Sequence, residues 1–506
     1  MRQPRSIPPA PLDRETLANA HPPAWENPKP ADRYDFVVLG AGPAGLTAAR
    51  RAAALGVKVA LVERDLIGGE ALKGCVSSKT MIRTSRLYAE MRNAANFGGK
   101  QPKGVLVDFP KVMHRVRRAQ ARLSRADSVD RLQEAGIDVF FGAAGFSRPD
   151  TLLVDGRVLR FGKALIATGA RPAELTIPGL AEAGYLTNET VFDLSTCPRR
   201  LLVVGGGPLG CELAQAFARL GVSVIIAQDD PMFLPGEERD AAQILSDALA
   251  RDGIDIHLNS SVVAVRADGG EKIVDIVRDD ERTMVAVDAI LTGIGRVPNV
   301  EGLALENARV EYGLSGVVVN DLLQTSNRRI YAAGDVCLEH KFAHAAAASA
   351  RIVVENALLR RRRKLSALTI PWCTYTDPEI AHVGLYVREA RQNAVPVKTF
   401  TILMHDLARA VADGEDDGFV KIHTKEGTDE ILGATLVASH AGEMINGLSL
   451  AITAGIGLRA LSKVIHTYPT QAEAIKMAAD AYERAGPRFL RRVAKLDPTT
   501  RRVIHG

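Results

Sequence analysis

The stretch Tyr34-Asp35-Phe36-Val37-Val38-Leu39-Gly40-Ala41-Gly42-Pro43-Ala44-Gly45 decides the fold. A short run of β-type residues, Tyr34–Leu39, ends in a G-x-G-x-x-G loop. An alanine-rich helix follows to Leu55, and the next strand, Lys58–Glu63, closes on an acid eighteen residues beyond Gly45. This strand–loop–helix–strand–acid order is that of a dinucleotide-binding unit. Gly40, Gly42 and Gly45 let the backbone approach a pyrophosphate, the helix N-terminus holds it through unpaired amides, and Glu63 can accept hydrogen bonds from a ribose.

The pattern recurs. Arg199–Val204 leads into Gly205-Gly206-Gly207-Pro208-Leu209-Gly210, then a helix through Leu220 and a strand Val222–Ala227. Two such units imply two dinucleotides, or one dinucleotide and one flavin. The second strand ends in Gln228-Asp229-Asp230, with Gln228 in the usual acid position and no basic residue at the strand end. NADH-type sites want an acid there and NADPH-type sites an arginine, so the pattern leans to NADH. Ala164–Pro172, with Thr168 and Gly169, closes the first half, and Gly293–Asn299, with Gly295, closes the second. A strand at Ile330 runs into Gly334-Asp335, ahead of an alanine-rich helix from Ala343 to Leu359. From Ile370 strands (Phe419–His423, Ile431–Ala438) alternate with helices to about Tyr482.

The chain has 506 residues, 46% of them hydrophobic and 5% aromatic, which suits about three domains and a large core. No apolar run reaches the roughly 18–20 residues of a membrane span. The proline-rich start, Met1 to about Arg33, has no apolar core of a signal peptide. Five scattered cysteines, an odd number, fit a reduced cytoplasmic interior. Net charge is +5, with basic clusters at Arg360–Lys364 and Arg488–Arg502. These read as solvated loop and tail charge, with an anionic partner as the alternative and no nucleic acid expected.

One segment departs from a plain nucleotide-binding scaffold: Ile67-Gly68-Gly69-Glu70-Ala71-Leu72-Lys73-Gly74-Cys75-Val76-Ser77-Ser78-Lys79. With the motifs above it resembles the flavoprotein pyridine nucleotide-disulfide oxidoreductases, the group of dihydrolipoamide dehydrogenase, glutathione reductase and mercuric reductase. The resemblance runs from about Tyr34 to Tyr482. Asn19–Pro23, Pro28–Tyr34 and Arg409–Glu415 look like the mercuric-reductase-like branch. It implies an α/β fold with two Rossmann-like domains, for FAD and NAD(P), and a C-terminal α+β dimerisation domain. The expected boundaries are an arm over 1–33, an FAD domain over 34–180 and 298–368, an NAD(P) domain over 181–297, a dimerisation domain over 369–482 and a basic tail over 483–506.

By the same resemblance, Gly40, Gly42, Gly45 and Glu63 bind the FAD adenosine diphosphate half. Gly69, Thr168, Gly169, Gly295 and Ala343 join the cofactor sites, and Asp335 binds the ribityl chain. Lys79 sits near the flavin and pairs with Glu212. Gly205, Gly207, Gly210 and Gln228 bind NADH or NADPH, and the C-terminal domain makes a homodimer.

The departures bear on the chemistry. The family's loop reads G-G-x-C-x4-C-x-P-S-K. Here Ala71 stands at the first cysteine, one residue is missing before Cys75, and Ser77 replaces the proline. A disulfide needs two sulfurs about 2 Å apart, and this loop has one. Near the C-terminus the family carries H-x-H-P-T-x-x-E, and here His466-Thr467-Tyr468-Pro469-Thr470-Gln471-Ala472-Glu473 puts Tyr468 at the base position while keeping Glu473. A tyrosine, with an ordinary pKa of about 10, is a poor base at neutral pH. His466 is either structural or a relocated acid/base.

Cys75 reads as a relic, a working thiolate or a metal thiolate. A helix beginning at it and the Lys79 charge are expected to lower its pKa. The thiolate would then give a long-wavelength charge-transfer shoulder with oxidised flavin. Neither 1–33 nor 485–506 contains the extra cysteines expected of mercury handling. The leading expectation is an NAD(P)H oxidoreductase passing electrons through FAD to a quinone or other small acceptor. The alternatives are a single-cysteine reductase of a small disulfide or persulfide, and a flavin-bound redox sensor or complex subunit.

Overall fold

The computed structural model describes residues 13–100 and 104–486. Phe36, Val37, Val38 and Leu39 are all within 1% of full burial, the unbroken apolar run of a strand covered on both faces. Their strand, Tyr34–Leu39, pairs in parallel with Val59–Glu63 on one side and Arg157–Ile166 on the other. Ile137–Phe141 extends the sheet beyond Val59–Glu63, and Ile330–Ala332 also pairs with Arg157–Ile166. The helices Pro43–Ala54 and Ala343–Leu358 pack against each other, their small side chains permitting a close approach.

The second half repeats the plan. Asp255–His257, Ser223–Ala227, Arg200–Val204 and Ala289–Thr292 form a four-stranded parallel sheet, flanked in sequence by an antiparallel sheet of Ser260–Asp268, Glu271–Arg278 and Glu281–Val287. The helix Val76–Arg92 packs against Pro208–Arg219 of this half and against Phe109–Ser124. It is the element that joins the two halves behind Cys75.

The described part of the arm is ordered on the first sheet. Asp13 caps the helix Arg14–Ala20, and Asn27 makes both hydrogen bonds to the backbone of Phe141 on the edge strand, donating to its carbonyl and accepting from its amide. His21 stacks on the Phe141 ring at 4.0 Å. Ala20 O accepts from Ile67 N, and the His21 ring meets Asp65 O. Arg360–Lys364 is exposed, and the Arg488–Arg502 cluster lies outside the described residues.

The chain divides into two compact units, built from the described residues of Met1–Pro231 with Asp252–Leu368, and of Met232–Arg251 with Thr369–Gly506. The first holds both nucleotide-type halves. The second is a five-stranded antiparallel sheet ordered Trp372–Thr374, Glu379–Gly384, Ile431–Ala438, Phe419–Lys425, Val397–Leu403, with helices Ala441–Thr453 and Glu473–Arg484. Met232–Arg251 falls within the 181–297 range, yet it is part of this second unit. Two acids hold it there. Glu237 accepts from Tyr386 OH at 2.6 Å and from Trp372 Nε1 at 3.3 Å. Glu238 pairs with Lys421 at 2.7 Å and faces His423 at 3.3 Å. Burial opposes its charge, but His423 and Lys421 outweigh it and hold the carboxyl down at about 2.

Truncation of Glu237 removes the acceptor of the buried Tyr386 hydroxyl. Glu237→Ala should cost about 1–3 kcal/mol in urea unfolding, and Glu237→Gln should cost less. Glu238 is depressed, so its contribution is present above the ordinary carboxylate range and lost as pH falls toward about 2. An acid titration of stability that is unchanged by Glu238→Gln would contradict this anchor.

Candidate functional site

The two glycine loops are built alike. Gly40 (φ +94°) and Gly205 (φ +99°) turn out of their strands in a conformation that L side chains rarely adopt. Their amides bond to Val62 O and Ala227 O on the neighbouring strands. A Cβ on Gly45 would collide with Gly40 O, and one on Gly210 with Gly205 O. By contrast, a Cβ on Gly42 would meet nothing within 4 Å. Gly42 and Gly207 are the N-caps of Pro43–Ala54 and Pro208–Arg219 and have no side-chain cap. Helix amides facing open space across a glycine fit a pyrophosphate.

The strand-end residues clamp these loops. Glu63 accepts from Ala41 N at 2.6 Å and from the amides of Arg64 and Asp65. Its surroundings desolvate it and push its carboxyl up, against those three amides. Gln228 does the same job in the second half, its Oε1 accepting from Gly206 N at 2.5 Å. It does so without charge. Asp229 beside it is exposed.

Thr168, Gly169 and Gly295 sit where two loops are sewn together. Thr168 donates to Asn299 O at 2.8 Å, Asn299 N bonds to Gly169 O, and Ala170–Pro172 pairs with Arg296–Pro298. Arg296 is thereby aimed at Asp335, donating to it at 2.6 Å. Burial pushes the Asp335 carboxyl up, opposed by Arg296 and Lys341. Ala343 opens the helix that follows.

The segment around Cys75 lies against the first glycine loop. Gly68 N bonds to Ala41 O, and a Cβ on Gly69 would stand 3.2 Å from Gly42 Cα. Ala71–Cys75 forms a single π-helical turn that runs straight into Val76–Arg92. Lys79 donates to Glu212 at 2.8 Å across the two halves. Cys75 Sγ donates to Glu70 Oε2 at 3.4 Å, and Asn188 donates to Glu70 Oε1 at 3.2 Å.

This corrects the expected state of Cys75. It lies inside a continuous helical run, so no free helix N-terminus faces its sulfur. Burial, then the Glu70 charge, pushes its thiol up to about 12, and Lys79 and Arg296 only partly oppose them. Glu70 was not among the residues picked from sequence. No disulfide joins any of the five cysteines to another. Among the described residues no group of His, Cys, Asp and Glu is placed to hold a metal, and no helix is long and apolar enough to cross a membrane.

Tyr468 and Glu473 belong to the second unit, Tyr468 with 70% of its surface exposed and Glu473 at the first position of its helix. His466 makes only a long contact, 3.4 Å, to Val464 O among the bonds of its ring.

Residues 34–350 match the family described as Pyridine nucleotide-disulphide oxidoreductase, and 370–479 match its dimerisation domain. The chain is 33% identical to a mercuric reductase of Staphylococcus aureus, over 89% of this chain and 83% of that one. It is also 33% identical to a dihydrolipoyl dehydrogenase of Bacillus subtilis, over 89% and 98%. Among solved structures, LpdA from Mycobacterium tuberculosis superimposes with TM-score 0.81 at 30% identity, over 88% of this chain and 99% of that one. The Cu(II) complex of the HOCl-induced flavoprotein disulfide reductase RclA from Escherichia coli gives 0.79 at 27%, over 89% and 100%.

The glycine geometry separates folding from binding. Gly45→Ala should fail to fold or melt far below wild type, because backbone must move. Gly42→Ala should leave apoprotein stability within about 0.5 kcal/mol and cut retained nucleotide cofactor at least about tenfold, since its Cβ fills the pyrophosphate space. Thermal melts with cofactor content by absorbance check both.

Proposed function

This chain belongs to the pyridine nucleotide-disulphide oxidoreductase family, whose members use FAD and NAD(P)H, and we propose that it passes electrons from NAD(P)H to a quinone or similar small acceptor without a redox disulfide. The observation that carries this reading is the bonding of Cys75. The loop's one sulfur is closed against a carboxylate, not against a second sulfur. A neutral thiol is a poor nucleophile, and a sulfur with no second cysteine in its loop is not half of a dithiol relay.

In this reading Gly40, Gly42 and Gly45 face the FAD pyrophosphate and Glu63 its ribose, while Asp335, steadied by Arg296, takes the ribityl hydroxyls. Bound FAD would supply the chemistry of accepting hydride and releasing electrons. Lys79, held by Glu212, supplies fixed positive charge near it. Gly205, Gly207 and Gly210 take the nicotinamide nucleotide. Gln228 is neutral, already bonded to Gly206 and followed by exposed Asp229, so no cation there favours a 2′-phosphate, and NADH is preferred. The enzyme works as a cytoplasmic homodimer. Leu450, Val464, Ile465 and Tyr468 are all exposed on the second unit, the surface type that association covers. Tyr468 shapes the partner's acceptor pocket, and Glu473 supports it.

Anaerobic titration should show flavin reduced by NADH faster than by NADPH, followed by reoxidation with a quinone. Cys75→Ser should keep quinone turnover, while dihydrolipoamide, oxidised glutathione and mercuric ion should be poor substrates. Loss of turnover in Cys75→Ser would favour a thiol reductase. A flavin that neither nucleotide reduces would favour a sensor or complex subunit. Light scattering at micromolar concentration should give twice the 54.3 kDa chain mass.

A further inference from the structure

An α-helix places residues three or four apart on one face, and residues five apart lie well round the cylinder. A π turn is wider, closing i→i+5 bonds, and such single turns are frequent at functional sites. Here the turn is Ala71–Cys75, with Val76 N bonded to Ala71 O. Glu70 immediately precedes it and Cys75 ends it, five residues on. The widened turn brings their side chains together, Sγ to Oε2 at 3.4 Å.

Two further features hold the pair. A Cβ on residue 74 would overlap Glu70 Oε1, so Gly74 clears the space in which the carboxylate lies. Asn188, from a distant part of the first unit, fixes the same oxygen at 3.2 Å. The carboxylate is therefore folded back over its own turn, clamped on one oxygen and offered to the sulfur with the other.

We propose that Glu70 is a positioning residue that holds Cys75 as a neutral thiol and so keeps the sulfur out of electron transfer. The charged groups around the pair are Lys79 on the following helix, itself bonded to Glu212, and Arg296, bonded to Asp335. Both cations favour a thiolate; burial is the larger force against them, and Glu70 is the near anion that acts with it. Burial acts in the same direction as Glu70, and it pushes the Glu70 carboxyl up as well, against Arg296. No bond forms or breaks. The thiol proton stays on sulfur, shared toward the carboxylate, and the sulfur stays reduced.

The inference rests on the reading that electrons pass without the Cys75 sulfur, and the readout that decides it is labelling of that sulfur. Holoenzyme is labelled with iodoacetamide from pH 6 to 10, and modification at Cys75 is followed by peptide mass spectrometry, beside the long-wavelength flavin absorbance. Wild type should label slowly across the range and absorb nothing beyond the main flavin band at pH 8. Glu70→Gln removes the charge while keeping the shape. Its labelling should accelerate at least about tenfold at pH 8.5, the effect of about one pKa unit. Asn188→Ala, which frees the carboxylate, should shift labelling the same way by less. Equal profiles for wild type and Glu70→Gln, or slower labelling in Glu70→Gln, overturn the proposal. A shifted profile with quinone turnover lost in Cys75→Ser would keep the Glu70 role and remove the acceptor reading.

Discussion

Everything at this site hangs on the contact between Gly45 and the carbonyl of Gly40. The helix can begin directly under the strand end only because no Cβ stands between them, and the same holds for Gly210 and Gly205. Once the helix is that close, its first amides face outward across Gly42, and the loop offers Ala41 and Gly42 as a floor. Gly68 and Gly69 rest on that floor. The position of Cys75 is thus inherited from a backbone contact thirty residues earlier in the chain.

The scaffold was legible because its constraints are local. A glycine forced into positive φ, or into contact with a carbonyl, is visible one residue at a time. Strand and helix limits fall within a residue or two of expectation, as with Pro43–Ala54 and Ile431–Ala438. The Lys79–Glu212 ion pair is non-local but was reachable through resemblance. What sequence could not show is geometry that breaks helical periodicity. Glu70 is five residues from Cys75, the wrong spacing for an α-helix, so only the π turn reveals the pair. The thiolate expectation overlooks that pair, and it sets a helix start at a cysteine that lies within a helical run. The docking of Met232–Arg251 was hidden differently: Glu237 and Glu238 look like surface acids until Tyr386, Trp372 and Lys421 are found opposite.

The two halves also show one device used with and without charge. Glu63 and Gln228 each brace a glycine loop through one oxygen, to Ala41 N and Gly206 N. The carboxylate also gathers two further amides, which partly offset its burial. The amide needs no such compensation, and it braces the second loop without a charge of its own. Two copies of one fold can in this way present different faces to two nucleotides while keeping the same backbone.

The arm before Tyr34 has a bearing on the Cys75 loop that its place in the chain conceals. Ala20 and His21 grip Ile67 and Asp65, the residues just ahead of Gly68, while Asn27 is pinned to the sheet edge at Phe141. The loop is one residue shorter than the pattern it resembles and is suspended from both ends, by the arm at its start and by the helix Val76–Arg92 at its close. Slack at either anchorage would spread into the π turn of Ala71–Cys75. Trimming the protein at its front would therefore release the start of the Cys75 loop, some fifty residues downstream.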